Sequence, residues 1–350
     1  MKNGKTGFGI IGLGAISRFH ATAIEHIQEA QLTAAFHKVS EKAQSFCRER
    51  QGVRPYDNLS QFLSDPDIDI VTVGTPSGAH MEVAIAAMEA GKHVIVEKPI
   101  EVTTERIDKM IECAKKNKVI LSCVFQSRFH EGPALVKKAI EEGRFGTLTI
   151  LNAQVKWYRS QDYYDKISWH GTWKLDGGGA LMNQSIHAID LLQWYGGPVK
   201  EILGQTSLIG HKNIEVEDTA AAVLKFTNGA IGVIEGSTAV YPGFLKKIEI
   251  CGTQGSVVVE EESIKYWQFK HEKPEDDFIR KNFIDKTSSG GGASDPSAIS
   301  YKGHEKCFRN VIEAIRKGID PAITAEEAKK SVEIICAIYK SSATGRKVLL

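Results

Sequence analysis

One stretch near the N-terminus constrains the chain more than any other: Phe8-Gly9-Ile10-Ile11-Gly12-Leu13-Gly14-Ala15-Ile16-Ser17. An apolar run breaks into two glycines one residue apart and passes without interruption into helical spacing. Strand, tight turn and helix start in that order are the local structure from which a dinucleotide site is built. Gly12 supplies the sharp turn, and Gly14 leaves the main chain bare where a pyrophosphate would approach. A helix opening at Ala15 and Ile16 aims free N–H groups and the positive end of its dipole at that phosphate. Ser17 stands where a third small residue keeps helix close to strand. The third glycine of the fingerprint is missing, so the motif alone is also compatible with an ordinary glycine-rich βα turn.

The pattern then repeats. Leu32–Phe36 reads as a second strand, and its end is the usual place for an acidic residue facing the adenosine ribose. His37-Lys38 stands there instead, with no carboxylate before Glu41. Lys38 is either a partner for a ribose 2′-phosphate or a solvated charge, which leaves NAD against NADP open. Residues 40–51 and 58–63 read as helices and Ile68–Val73 as a buried strand. Carboxyl ends of parallel strands face the ligand crevice, so Thr75-Pro76-Ser77-Gly78-Ala79-His80 borders the cofactor, with His80 also starting helix 80–90. Strand His93–Val96 ends in Glu97-Lys98-Pro99, read either as a solvated turn or as a lysine aimed into the crevice. Helix 104–117 and strand 119–125 complete a doubly wound series. The fold expected is α/β: a Rossmann parallel sheet over 1–125, then an α+β domain over 126–350 with a large, mostly antiparallel open sheet.

In the second part Thr149–Trp157 has the length of a long strand, followed by Arg159, Tyr163, Tyr164, Trp169 and Trp173. Asp176-Gly177-Gly178-Gly179 interrupts the chain ahead of an amphipathic helix from about Ala180 to Tyr195. Spacings of four and three put Asn183, His187 and Asp190 on one helix face, either as a buried structural cluster or as a site. No further His or Cys stands near enough in sequence to complete a metal set, so no metal is expected. Strands follow at about 199–208, 217–226, 230–239, 246–251, 256–260 and 264–269, with Asn228-Gly229 as a hairpin turn. The stretch 271–300 reads as a mobile loop or crossing arm. Helices 302–317 and 324–341 close the chain, the second led by the capping box Thr324-Ala325-Glu326-Glu327.

Composition removes several function classes. The 350 residues carry a net charge of +1, which offers neither nucleic acid nor a membrane surface an attractive field. No apolar run approaches the ~20 residues that span a bilayer, and the N-terminal strand is too short for a signal-peptide core. Six scattered cysteines read as reduced thiols of a cytoplasmic protein.

Four motifs in one order, Gly-Ile-Ile-Gly-Leu-Gly (9–14), Thr-Pro-Ser-Gly-Ala-His (75–80), Glu-Lys-Pro (97–99) and Gly-Gly-Gly-Ala-Leu-Met-Asn-Gln-Ser-Ile-His-Ala-Ile-Asp (177–190), resemble the Gfo/Idh/MocA oxidoreductases. The resemblance implies an NAD(P)-dependent enzyme that oxidises or reduces a sugar. Lys98 and His187 would be its catalytic pair, and Gly12, Gly14, Ala15, Ile16, Lys38, Thr75, Pro76, His80, Glu97 and Lys98 would line the cofactor. It also implies a homodimer or homotetramer formed through the C-terminal sheet. Tyr163-Tyr164-Asp165, Trp169–Trp173 and Asn213–Thr219 look like the branch that oxidises UDP-N-acetyl-glucosaminuronate at its 3-hydroxyl. Arg159, Tyr163, Tyr164, Asn183, Gln184 and His187 would then surround the substrate, with Arg159 as the anion clamp. Asn183 stands where many relatives carry Asp, which leaves proton transfer to Lys98 and His187. A free-sugar or inositol dehydrogenase is the alternative within the family, and a non-catalytic sensor the alternative outside it.

Overall fold

The computed structural model describes residues 4–284 and 300–350. The chain divides into two units, Met1–Gln126 with Ser300–Lys329, and Ser127–Ile299 with Lys330–Leu350. The first begins β1 (Thr6–Ile11), α1 (Ala15–Glu25), β2 (Ala30–Phe36) and α2 (Ser40–Arg48). It continues through β3 (Arg54–Tyr56), α3 (Leu59–Leu63), β4 (Ile70–Val73), α4 (His80–Glu89), β5 (His93–Val96), α5 (Thr104–Asn117) and β6 (Leu121–Cys123). All six strands are parallel in the order β3-β2-β1-β4-β5-β6. The order reverses between β1 and β4, so the loops after these two strands border the crevice where such sheets take ligands. Every residue of β1 and β4 is buried, as a parallel sheet covered on both faces requires.

One strand of this sheet has no sequence signal. β3 is three residues long with Pro55 at its middle, and a proline argues against a strand unless it lies at an edge. β3 is that edge. Arg54, held by Asp65 at 2.6 Å and Asp67 at 3.0 Å, ties it to the turn before β4.

The second unit carries α6 (Glu131–Glu141), β7 (Leu148–Lys156), α7 (Gln161–Asp165), α8 (Ile186–Gly196) and β8 (Val199–Ser207). Then come β9 (Thr219–Phe226), β10 (Ile231–Ser237), β11 (Lys247–Gly252), β12 (Gly255–Glu260), β13 (Ser263–Phe269) and α9 (Pro274–Phe283). Its eight strands run β13-β12-β11-β7-β10-β9-β8-β14, where β14 is Val348–Leu349. Only β7 and β10 pair in parallel; the other pairs are antiparallel. Asn228-Gly229 turns β9 into β10, with Gly229 at φ +92°. α10 (Lys302–Lys317) belongs to the first unit, and the boundary between units falls inside α11 (Ala325–Thr344).

Three expectations are corrected. Residues 274–283 form α9 where a loop was expected, because Pro274 at the first turn and three acidic residues after it are helix-start chemistry. The rest of that stretch, 285–299, lies outside the described residues. α6 and β14 are elements that the sequence reading does not contain. The helix expected from Ala180 begins with a π-helical turn, Ala180–Ser185, before α8. It is also not amphipathic: from 180 to 193 only Asn183 and His187 are half-exposed, and every other residue is buried.

Candidate active site

In the first unit the turn after β1 is shaped for a phosphate. Gly12 has φ +88°, and a Cβ there would meet the backbone of Gly74 and Thr75 at 2.6–2.7 Å. Glycine alone allows the loop after β4 to come so close. Gly14 is different: it is extended, and nothing among the described residues lies within 4 Å of the place its Cβ would occupy. As N-cap of α1 it offers no side-chain cap, and the first turn, opened by Ala15 and Ile16, holds no acidic residue. An open cradle at an uncapped helix start fits a dinucleotide pyrophosphate.

The other predicted cofactor residues have unequal freedom. Lys38 is exposed just past β2. His80 is fully buried, with Nδ1 3.0 Å from the Pro99 carbonyl and Nε2 3.0 Å from the Thr75 carbonyl. It therefore ties the Thr75-Pro76 loop to the Glu97-Lys98-Pro99 turn. Burial lowers its pKa, and the neutral ring donates to one of these two carbonyls. Glu97 is also buried: Oε1 accepts from His20 Nε2 (2.8 Å) and His304 Nε2 (3.2 Å), and Oε2 accepts the Lys98 N–H (3.1 Å). Despite burial, these donors hold its carboxyl well below the usual range. His80 and Glu97 thus spend their polar atoms on shaping the two loops. Lys98, between them, is half-exposed.

In the second unit one polar network joins residues far apart in sequence. Arg159, only 3% exposed, gives Nη2–H to Gln184 Oε1 (2.8 Å) and Nη1–H to the Tyr158 carbonyl (2.9 Å). Its guanidinium lies over the Trp157 and Tyr163 rings. Gln184 Nε2 donates to the Tyr163 hydroxyl and to Asn183 Oδ1, both at 3.0 Å. Asn183 Nδ2 in turn donates to Asp176 Oδ1 at 2.5 Å. Tyr163 stacks on His170 at 4.5 Å, and burial pushes its phenol up to about 12. Tyr164, by contrast, turns into the core and bonds Thr238 Oγ1 at 2.9 Å. Asp190 is fully buried against Arg128 at 2.6 Å and Ser331 at 3.3 Å, so its carboxylate is spent inside the fold. His187 is half-exposed one turn beyond Asn183.

The residues that hold this network stand in the Asn213–Thr219 motif, whose structural task the sequence did not reveal. Glu217 accepts the N–H groups of Gly179 (2.9 Å) and Leu181 (2.8 Å) and the Tyr339 hydroxyl (3.0 Å). A Cβ on Gly178 would strike that tyrosine, and one on Gly179 the Glu217 carbonyl, which is why glycines precede the helix. Burial outweighs the donors and raises the Glu217 carboxyl to about 7. Asp218 collects the N–H groups of Ile209, Gly210 and His211 and the His211 ring, and these donors lower its pKa despite the burial. His211 Nε2 lies 2.8 Å from the Arg159 carbonyl. The acidic run Glu215–Asp218 was a recognition signal in the sequence; its role is to anchor the loops around the network.

A Rossmann unit with an open phosphate turn, followed in the chain by an α+β unit with a partly exposed polar cluster, defines a nicotinamide-dependent oxidoreductase. Residues 6–125 match the family description "Oxidoreductase family, NAD-binding Rossmann fold", and residues 134–258 match "GFO/IDH/MocA C-terminal domain". Myo-inositol 2-dehydrogenase of Thermotoga maritima is 31% identical over 98% of both chains. The NADP(+)-dependent scyllo-inositol 2-dehydrogenase IolW of Bacillus subtilis is 26% identical, over 100% of this chain and 96% of its own. The WlbA dehydrogenase of Bordetella pertussis, crystallised with NADH and UDP-GlcNAcA, superposes with a TM-score of 0.90 at 35% identity, covering 100% of this chain and 99% of its own. The chain belongs to the Gfo/Idh/MocA family of NAD-binding oxidoreductases. Among the described residues no helix is long and apolar enough to cross a membrane.

Proposed function

We propose that the enzyme oxidises the 3-hydroxyl of UDP-N-acetyl-glucosaminuronate. The observation that carries this reading is full-length similarity, at 35% identity, to a dehydrogenase crystallised with that nucleotide sugar and NADH. The buried cation Arg159 in the predicted substrate cluster supports it. A neutral sugar needs no fixed positive charge, whereas a carboxylate or diphosphate gains from one.

Bound NAD(P) supplies the hydride acceptor; the residues supply placement and charge. Gly12, Gly14 and the start of α1 hold the pyrophosphate, and Lys38 is the residue on which NAD against NADP depends. His187 takes the hydroxyl proton on its imidazole ring. Lys98 stabilises the negative charge that develops on the same oxygen. Asn183 cannot accept a proton as an aspartate would, so it serves as a hydrogen-bonding partner of the substrate. Arg159 and Gln184 orient Tyr163 and provide the cationic ground for an acidic substrate, with Tyr164 as a buried buttress. The oligomer forms on the solvent face of the eight-stranded sheet, where Leu203 and Val223 are each 51% exposed on paired positions.

The test is kcat/KM for UDP-N-acetyl-glucosaminuronate, glucose and myo-inositol, in wild type and in Arg159→Lys. The nucleotide sugar should be the efficient substrate. The lysine variant keeps charge but loses the fork and should cost about 1–3 kcal/mol of transition-state binding. Efficient myo-inositol oxidation with no turnover of the nucleotide sugar would favour the second reading, an inositol dehydrogenase, for which the 31% identical relative speaks.

A further inference from the structure

One buried cluster of the first unit has no part in the reaction as proposed. His20 on α1, Glu97 after β5 and His304 on α10 come from distant stretches of the chain, and all three are buried. Both imidazoles point Nε2 at the same oxygen, Glu97 Oε1, at 2.8 and 3.2 Å. Their rings lie 5.4 Å apart, and Phe308 closes on His20 edge-on at 5.2 Å. Because a carboxylate only accepts, each ring carries its proton on Nε2. Both Nδ1 atoms are then left buried and without a hydrogen-bond partner among the described residues. A pair of bare buried nitrogens is an expensive arrangement for a fold that needs only hydrophobic packing here.

These three residue types could also ligate a metal ion. A metal-bound imidazole, however, ordinarily donates its second N–H to an outer partner that fixes the ring. Neither Nδ1 has such a partner among the described residues, so the hydrogen-bonded arrangement accounts for the cluster better.

We propose that His20 and His304 are positioning residues for Lys98, acting through Glu97. The two histidines lock one carboxylate oxygen. The other, Oε2, holds the Lys98 backbone N–H at 3.1 Å, so the clamp fixes how the chain leaves β5. His80 Nδ1, 3.0 Å from the Pro99 carbonyl, braces the far side of the same turn. Burial lowers the His20 pKa, which keeps that ring a neutral donor to the ionised carboxylate. The functional consequence rests on the reading of Lys98 as the group that stabilises charge on the reacting oxygen.

The test compares His20→Leu and His304→Leu with His20→Gln and His304→Gln, each also placed in a Glu97→Gln background. Glutamine can return an N–H to the place of Nε2, and leucine cannot. Turnover of UDP-N-acetyl-glucosaminuronate, NADH affinity and the rate at which acetyl N-hydroxysuccinimide acylates Lys98, followed by peptide mass spectrometry, are measured together. The leucine variants should lose about tenfold or more in kcat with NADH Kd within about threefold, and glutamine should restore most of it. Their Lys98 acylation rate should shift by at least about threefold, and in the Glu97→Gln background the histidine substitutions should add little. If leucine prevents folding, His20→Asn preserves polarity while its amide stops short of Glu97, and the same measurements apply. Wild-type kcat and unchanged Lys98 acylation in folded variants would overturn the proposal. So would stoichiometric zinc in the wild type that is lost in His20→Leu. Full turnover in Lys98→Met would defeat only the role given to Lys98, and the acylation comparison would still decide whether the clamp positions it.

Discussion

Gly12 and Gly14 stand two residues apart and are glycines for different reasons. At Gly12 both the left-handed backbone and the contact with Gly74 exclude a side chain. Gly12→Ala should therefore cost the fold more than ~2 kcal/mol, the left-handed penalty alone being about 1–2 kcal/mol, and lower the thermal midpoint. Gly14 has φ −85° and ψ −164°, a conformation a β-branched residue adopts easily, with open space beyond. Gly14→Val should leave the thermal midpoint nearly unchanged and weaken NADH binding at least about tenfold, near 1.4 kcal/mol by calorimetry. Unchanged affinity in the folded variant would place the pyrophosphate elsewhere. The glycine spacing was legible in the sequence; the difference in kind between the two positions was not. It depends on the approach of a loop more than sixty residues later.

At the scale of elements, the glycine-led helix shows how polar spacing in sequence divides between tasks. Asn183, His187 and Asp190 share a spacing, yet Asp190 is spent on Arg128 in the core. Removing one partner of a buried ion pair leaves an uncompensated charge, so Asp190→Ala should destabilise by about 3–5 kcal/mol in a denaturant titration. The loop ahead of the helix is held by Glu217, whose folded pKa is raised to about 7. The folded state then binds this proton more tightly than the unfolded chain, whose glutamate titrates near ~4.3. The stabilisation is complete below the unfolded pKa and is lost as pH rises through about 7. Glu217→Gln cannot titrate. Relative to it, the wild type should lose on the order of 3 kcal/mol between about pH 4 and pH 8, a difference that parallel urea titrations would read. A pH-independent offset between the two would show that folding does not shift the Glu217 carboxyl.

For the molecule as a whole, the solvent face of the eight-stranded sheet carries Leu203, Val223 and Ile231 at about half exposure. Leu203 and Val223 pair across β8 and β9, and an apolar pair on an open antiparallel face suits association with a second copy. Val223→Lys should shift the mass by light scattering to that of a single chain while leaving the far-UV spectrum intact; an unchanged mass would move the contact elsewhere. The sequence by itself determined the Rossmann strand series, the antiparallel character of the second sheet, and the motifs that carry the family, because these are written in local periodicity and glycine spacing. It could not show β3, a three-residue edge strand around a proline, whereas α9 did carry a helix-start signal in Pro274 and the acidic residues after it. Nor could it show which polar residues the fold encloses. His80, Glu97, Tyr164 and Asp190 sit in the same motifs as Lys98, Tyr163 and His187, and spacing treats them alike. Only the tertiary structure showed that the first four are buried on partners of the fold itself, because burial depends on segments met across tens or hundreds of residues.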